Sequence, residues 1–211
     1  MASIITATTT GGLTQSADNS GVLQLASGAG NLVTVPSVTG TMITTASSGQ
    51  SIPKAALPTG SVLQVVQGTP KSDTFSTTST TLVDITGLSA TITPTSSSSK
   101  ILVFVDLHIG YSIYAGVVHL LRGSTKIYAG DGGLSRGGLY SNVYASPGNV
   151  LIPVTAVCYD NPATTSATTY KLQTATYGGG TQYVNRTGDD INESTRDGRT
   201  VSTITLMEIA A

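Results

Sequence analysis

The 211-residue chain has no tryptophan, one cysteine and two histidines, and 10 Lys plus Arg against 11 Asp plus Glu, 21 formal charges in all. Each scarcity excludes something. The lone Cys158 rules out an intrachain disulfide framework, and within its apolar surroundings at 154–159 it reads as a buried small hydrophobe. A net charge of −1 leaves no basic stripe to neutralise phosphates, so no nucleic-acid partner is expected. No run of about 18 apolar residues occurs, so no membrane span is expected. The start, Met1-Ala2-Ser3-Ile4-Ile5-Thr6, lacks the basic residues and apolar block of a secretory signal, and implies a protein made and kept in a cytosol. The good helix formers Glu, Lys, Met and Leu are scarce, which argues against helical bundles and doubly wound α/β folds. The length allows one or two domains.

What is abundant is Ser plus Thr, about 60 residues, together with 24 Gly. Up to position 53 the only charged side chain is Asp18, and short apolar runs at 22–25, 32–35 and 42–43 are bounded by Gly, Asn, Pro or Ser. Strands this short cannot bury a core within one chain. Three copies wrapped around an axis would pair their edges across subunit boundaries, which predicts an extended β arm or short shaft in a homotrimer. Positions 46–60 read as a linker with restricted bends, placing the boundary near Gly60: an arm with linker at 1–60 and a head at 61–211. Gly21-Val22-Leu23-Gln24-Leu25 is echoed by Ser61-Val62-Leu63-Gln64-Val65, a match too short to establish a repeat.

Beyond Gly60 the pattern changes to repeated strands. In the clearest, 100–109, Ile101, Val103, Val105, Leu107 and Ile109 point one way, while Leu102, Phe104, Asp106 and His108 point the other. Further strands are predicted at 61–67, 73–75, 81–85, 90–93, 117–122, 125–128, 150–159, 168–176, 182–184 and 201–209. Their spacing is that of an all-β sandwich or barrel, and about 150 residues suffice for a β-sandwich of eight to ten strands with its own core.

Catalysis finds little support. Only His108 and His119 are available as histidine bases, and Asp106, His108 and Ser112 are neighbours in sequence without the convergence of a triad. A hairpin turning near Ile113 and Tyr114 would set His108 opposite His119, but no Cys or carboxylate stands at metal-ligand spacing beside them. Gly130-Asp131-Gly132-Gly133 and Gly137-Gly138 fit neither dinucleotide nor P-loop spacing, and no helix follows. No enzyme activity, cofactor or metal is expected.

The charged residues are concentrated. Arg186, Asp189, Asp190, Glu193, Arg196, Asp197 and Arg199 place 7 of the 21 charges within positions 186–199. That segment reads either as a solvated loop or as a contact surface for a receptor or a neighbouring subunit. With the sandwich faces needed for core and subunit contact, recognition is expected on the loops 130–142 and 177–199. The candidate contacts are Asp131, Arg136, Tyr140, Tyr183, Arg186, Asp189, Asp190 and Arg196, Tyr and Arg being the types that dominate interface energetics. Asp189 and Asp190 offer too few oxygens at defined spacing for calcium. Asn185-Arg186-Thr187 and Asn192-Glu193-Ser194 match the glycosylation sequon, which goes unused in a chain without a signal.

The stretch Leu32-Val33-Thr34-Val35-Pro36 followed by Thr39-Gly40-Thr41 resembles short β modules in the N-terminal parts of bacteriophage fibre proteins. Asp73-Thr74-Phe75-Ser76-Thr77, Thr91-Ile92-Thr93-Pro94, Ser99-Lys100-Ile101-Leu102-Val103, Leu121-Arg122-Gly123-Ser124, Asn161-Pro162-Ala163-Thr164-Thr165 and Ile204-Thr205-Leu206-Met207-Glu208 resemble a domain common in phage tail-fibre and related virion proteins. This resemblance implies a trimeric jelly roll similar to tumour-necrosis-factor-like heads, placed in the virion and used for attachment to a host-surface glycan or protein, with the arm held by other virion proteins. The arm is short for a long fibre, at most ~200 Å when extended, so a capsid or tail decoration role is the alternative, and a non-viral carbohydrate-binding lectin a further one.

Overall fold

The computed structural model describes residues 54, 57–112, 116–130, 150–176, 178–192 and 197–211 with their side chains, and the backbone of 23–27, 31–35 and 140–141. The chain divides into two units, Met1–Pro53 and Lys54–Ala211.

In the first unit, β1 (Leu23–Ser27) and β2 (Asn31–Val35) pair antiparallel, Leu23 opposite Val35 and Ser27 opposite Asn31. Two of the short predicted strands therefore find their ladder partners in each other, where the sequence reading assigns those partners to neighbouring copies. The predicted run at 42–43 lies outside the described residues.

The second unit is all-β. Its strands are β3 (Val62–Gln67), β4 (Phe75–Thr77), β5 (Val83–Ile92), β6 (Lys100–Tyr111), β7 (Gly116–Arg122), β8 (Thr125–Ile127), β9 (Tyr140–Ser141), β10 (Ile152–Asp160), β11 (Thr168–Thr176), β12 (Gln182–Val184) and β13 (Thr203–Ile209). β6 is the hinge of the first sheet: β13 pairs with its first half, β12 with its last three residues, and β10 runs along its other side. Since β3 pairs with β13 and β4 with β12, these six strands form four columns, β3/β4, β13/β12, β6 and β10. The second sheet has the columns β5, β11, β7 and β8/β9. Columns alternate between sheets along the chain except from β7 to β8/β9, which are neighbours in the second sheet, and the first column lies beside the last. That is the strand order of a jelly roll, in which two antiparallel sheets share one core.

The alternation in β6 is what builds the core. Ile101, Val103, Leu107 and Ile109 are fully buried and Val105 nearly so. They meet Val118 and Leu120 of β7, Tyr170 and Leu172 of β11, and Ile204 and Leu206 of β13 in one cluster. Each such aliphatic side chain contributes about 1.5–3 kcal/mol on leaving water, and Leu107→Ala costs about 2–5 kcal/mol. Cys158 is buried in the same cluster, where burial and the nearby Asp160 push its thiol pKa up.

Three expectations are corrected. The strands predicted at 81–85 and 90–93 are one strand, β5, carried through by Gly87 at φ +80° opposite a register shift between Lys171 and Gln173. β6 and β7 do not form a hairpin, because the chain crosses from one sheet to the other between them; His108 faces Pro153 and His119 faces Gln173. Tyr140 is not on a loop: with Ser141 it pairs against Val118 and Val117 of β7, a two-residue strand too short to show a period.

Candidate functional site

The charged segment after β12 is the described part of the predicted contact surface. Tyr183 is on strand β12 rather than in a loop, paired with Ser76 on one side and Gly110 on the other. Val184 next to it is buried in the core, so Tyr183 faces outward. Three residues on, the Arg186 guanidinium sits 3.9 Å above the Tyr183 ring centre, a cation–π contact.

Backbone geometry forces the chain into this turn. Asn185, Asp190 and Asn192 have φ of 62°, 46° and 63°, a region that Asn and Asp tolerate through local hydrogen bonding. Arg186 and Arg199 form a β-bridge, which brings the two ends of the segment together. Both guanidiniums then reach Asp190: Arg186 Nη1 donates to Oδ2 and Arg199 Nη2 to Oδ1. Thr187, buried, donates from Oγ1 to Asp197 Oδ1 at 3.2 Å. Opposite charges are thus paired within the segment. A Cβ on Gly110 would lie 2.4 Å from the Arg186 carbonyl oxygen, so glycine is what lets the segment cross β6 this closely.

Asn185 anchors the turn from below. Its Nδ2 donates to the carbonyls of Lys71 at 2.7 Å and Asp73 at 3.0 Å, and its Oδ1 accepts from Ser202 Oγ at 2.6 Å. Its backbone N–H donates to the His108 carbonyl at 3.0 Å, and Ser202 Oγ in turn accepts from the His108 N–H at 3.1 Å. Four stretches of chain meet on one fully buried amide, which also closes the first sequon to modification. Sequence reasoning saw only the sequon there; the usable signal is an Asn-Arg pair directly after a core valine.

Of the predicted contact residues, the structure brings together Tyr183, Arg186 and Asp190. Asp189 is exposed beside them. Asp131, Arg136 and Arg196 lie outside the described residues, and of Tyr140 only the backbone is described. Among the described residues, no group of three or more His, Cys, Asp or Glu converges as a metal site. His108 Nδ1 lies 3.9 Å from Asp106 Oδ1, and burial followed by the Lys126 charge lowers the His119 pKa.

A concavity of about 420 Å³ opens between Leu57, Leu63, Thr95, Ser96, Ser99 and Ala210. Behind it the fully buried Glu208 accepts from Thr95 N at 2.6 Å, Thr95 Oγ1 at 2.7 Å and Gln64 Nε2 at 2.6 Å. Burial alone would push this carboxyl up; the hydrogen bonds from Thr95 and Gln64 outweigh it and hold the pKa below the ordinary value. A lone charge between Met207 and Ile209, near the end of the predicted strand 201–209, is the sequence signal for this buried carboxylate.

No protein-family model and no curated protein matches the chain. Among solved structures it resembles a chain of infectious bursal disease virus, Gx strain, at 20% identity and a TM-score of 0.28, the match covering 70% of this chain and 40% of that one. It also resembles a chain of the T13 IBDV viral particle at 15% identity and a TM-score of 0.30, covering 84% and 44%. The chain thus spans less than half the length of either. TM-scores this low lend no weight to an argument about function.

Proposed function

We propose that the chain is a non-enzymatic virion structural protein, assembled as a homotrimer, which decorates or cements the capsid or tail through its jelly-roll head, with residues 1–60 engaging other virion proteins. The observation that carries the assembly role is the Arg186–Asp190–Arg199 arrangement. Arg186 and Asp190, two of the charges expected to reach a receptor, are paired with each other and tied to Arg199, a construction that rigidifies a surface. The strand order supports the same reading, because a jelly roll leaves whole sheet faces available for contact.

Host attachment is the second reading. It is favoured by the resemblance to phage fibre domains and by Arg199, whose side chain stays 55% exposed while it pairs with Asp190. Particles made with and without the gene separate the two. Normal adsorption with earlier heat-induced genome release supports decoration, whereas lost adsorption with intact particle stability supports attachment. Absence of the protein from purified particles overturns both.

A further inference from the structure

The two outer faces of the sandwich have opposite chemistry. On the β5–β11–β7 face, Asp84 accepts from Lys171 Nζ at 2.8 Å and Gln173 Nε2 at 2.7 Å, and the Thr91 and Thr169 hydroxyls lie 2.8 Å apart. That face is built for water. On the β3–β13–β6–β10 face the cross-strand neighbours run Val65, Met207, Leu102, Tyr159, with Phe104 and Val157 paired in the next row. Val65 and Val157 are 55% exposed and Tyr159 is 64% exposed.

We propose that this apolar face seats against a second copy of the same chain. The inference deepens the assembly reading and rests on it for the threefold count only. Area is the first argument. Four strand columns at ~4.8 Å and nine residues of β6 at ~3.3 Å span about 19 by 30 Å, or about 570 Å² of sheet, above the roughly 500 Å² per partner that a specific interface must clear. The anatomy also fits: an apolar centre containing Phe, Tyr and Met lies beside a polar margin of Gln67, Thr205, Asp106 and His108, as in interfaces with a dry core and a wet rim. Lys100 and Asp106 both lie on this face of β6, so its ion charges cancel and two copies meet without repulsion. Finally, the face runs out to β10, whose far edge has no ladder partner among the described residues, leaving nine residues of edge strand for a neighbour to cover.

The test compares the full-length chain with Val157→Asp/Tyr159→Asp and with Ser89→Asp on the opposite face, by sedimentation and native mass spectrometry. Wild type and Ser89→Asp are expected to associate at micromolar concentration, and the double variant to need more than about tenfold higher concentration while keeping its β circular dichroism. If the double variant fails to fold, Tyr159→Trp supplies the chain's single tryptophan. Its emission should be that of a buried indole in the oligomer and shift red on dilution. A monomeric wild type, an oligomer indifferent to the double variant, or exposed emission from the oligomer overturns the proposal. Incorporation into particles is scored separately: a chain that self-associates through this face yet is absent from virions sinks the assembly role and leaves the interface standing.

Discussion

The Tyr170 hydroxyl donates to Asp160 Oδ2 across 2.6 Å and so ties a strand of one sheet to a strand of the other. Arg122 Nη1 adds bonds to both Asp160 oxygens, at 2.7 and 2.8 Å, and to the Asn161 carbonyl at 3.1 Å. Burial first, and then the neighbouring carboxylate, push the phenol far above its ordinary range, so it stays a neutral donor at every pH the fold survives. Tyr170→Phe should lower the unfolding free energy by about 1–2 kcal/mol, and Asp160→Ala by about 3 kcal/mol because it strands two donors, one of them charged. Urea denaturation measures both; equal costs for the two variants would show that the carboxylate is not the shared acceptor that matters.

Glu208 should set part of the acid limit of the head. Its folded pKa is lowered, so the stabilisation is fully present above the ordinary value of 4.5 and is lost as pH falls through the folded value. Glu208→Gln keeps the shape and removes the charge. Near neutral pH it should cost about 1–3 kcal/mol, and the gap from wild type should close as the pH is taken below that range. Melting temperatures across an acid series test this, and a gap that widens towards low pH would reverse the assigned sign.

At Asn185, hydrogen bonding and backbone conformation are separable. Asn185→Ala loses the three side-chain bonds and places an ordinary Cβ at φ 62°, whereas Asn185→Gly loses the same bonds without that strain. Alanine is expected to cost about 3–4 kcal/mol, and glycine about 1 kcal/mol less. Denaturant unfolding of the two variants gives the difference; alanine at or below glycine would mean that the turn relaxes out of the left-handed region.

Gly110→Ala should act at a distance from its own strand. The new Cβ meets backbone at 2.4 Å, which no rotamer change relieves, so the 186–190 segment must move away. Hydrogen exchange should show loss of protection at Thr200, whose N–H donates to the Asn185 carbonyl at 3.2 Å, with an overall cost above about 2 kcal/mol. Unaltered exchange there would mean that β6 gives way instead.

What the sequence made legible follows from which signals are local. The strict alternation from Ile101 to Ile109 announced a half-buried strand, and the core is built on it. The 168–176 and 182–184 strands have the predicted bounds, since turn residues flank both. Periodicity tells which face a residue takes and nothing about which sheet its strand joins, so the expected hairpin sets His108 opposite His119 although their strands lie in different sheets. The expected strands at 81–85 and 90–93 leave the residues around Gly87 unassigned, because a bulge and a turn use the same residue. At the candidate site, Tyr183, Arg186 and Asp190 could be named, yet their mutual pairing depends on Arg199 bridging back and on the missing side chain of Gly110, both set by contacts remote in sequence.

The jelly-roll closure also dictates an order of events in folding. β3 and β4 take their ladder partners from β13 and β12, and the Gln64–Glu208 bond spans 144 residues. A chain emerging from the ribosome therefore carries its first two head strands unpaired until nearly all of the remainder has been made. Contacts of such sequence separation fold slowly, since loop-closure entropy is lost before the pairing rewards it. During that interval the open edges of β3 and β4 are held only by the rate of synthesis and by whatever else in the cell will bind an unpaired strand.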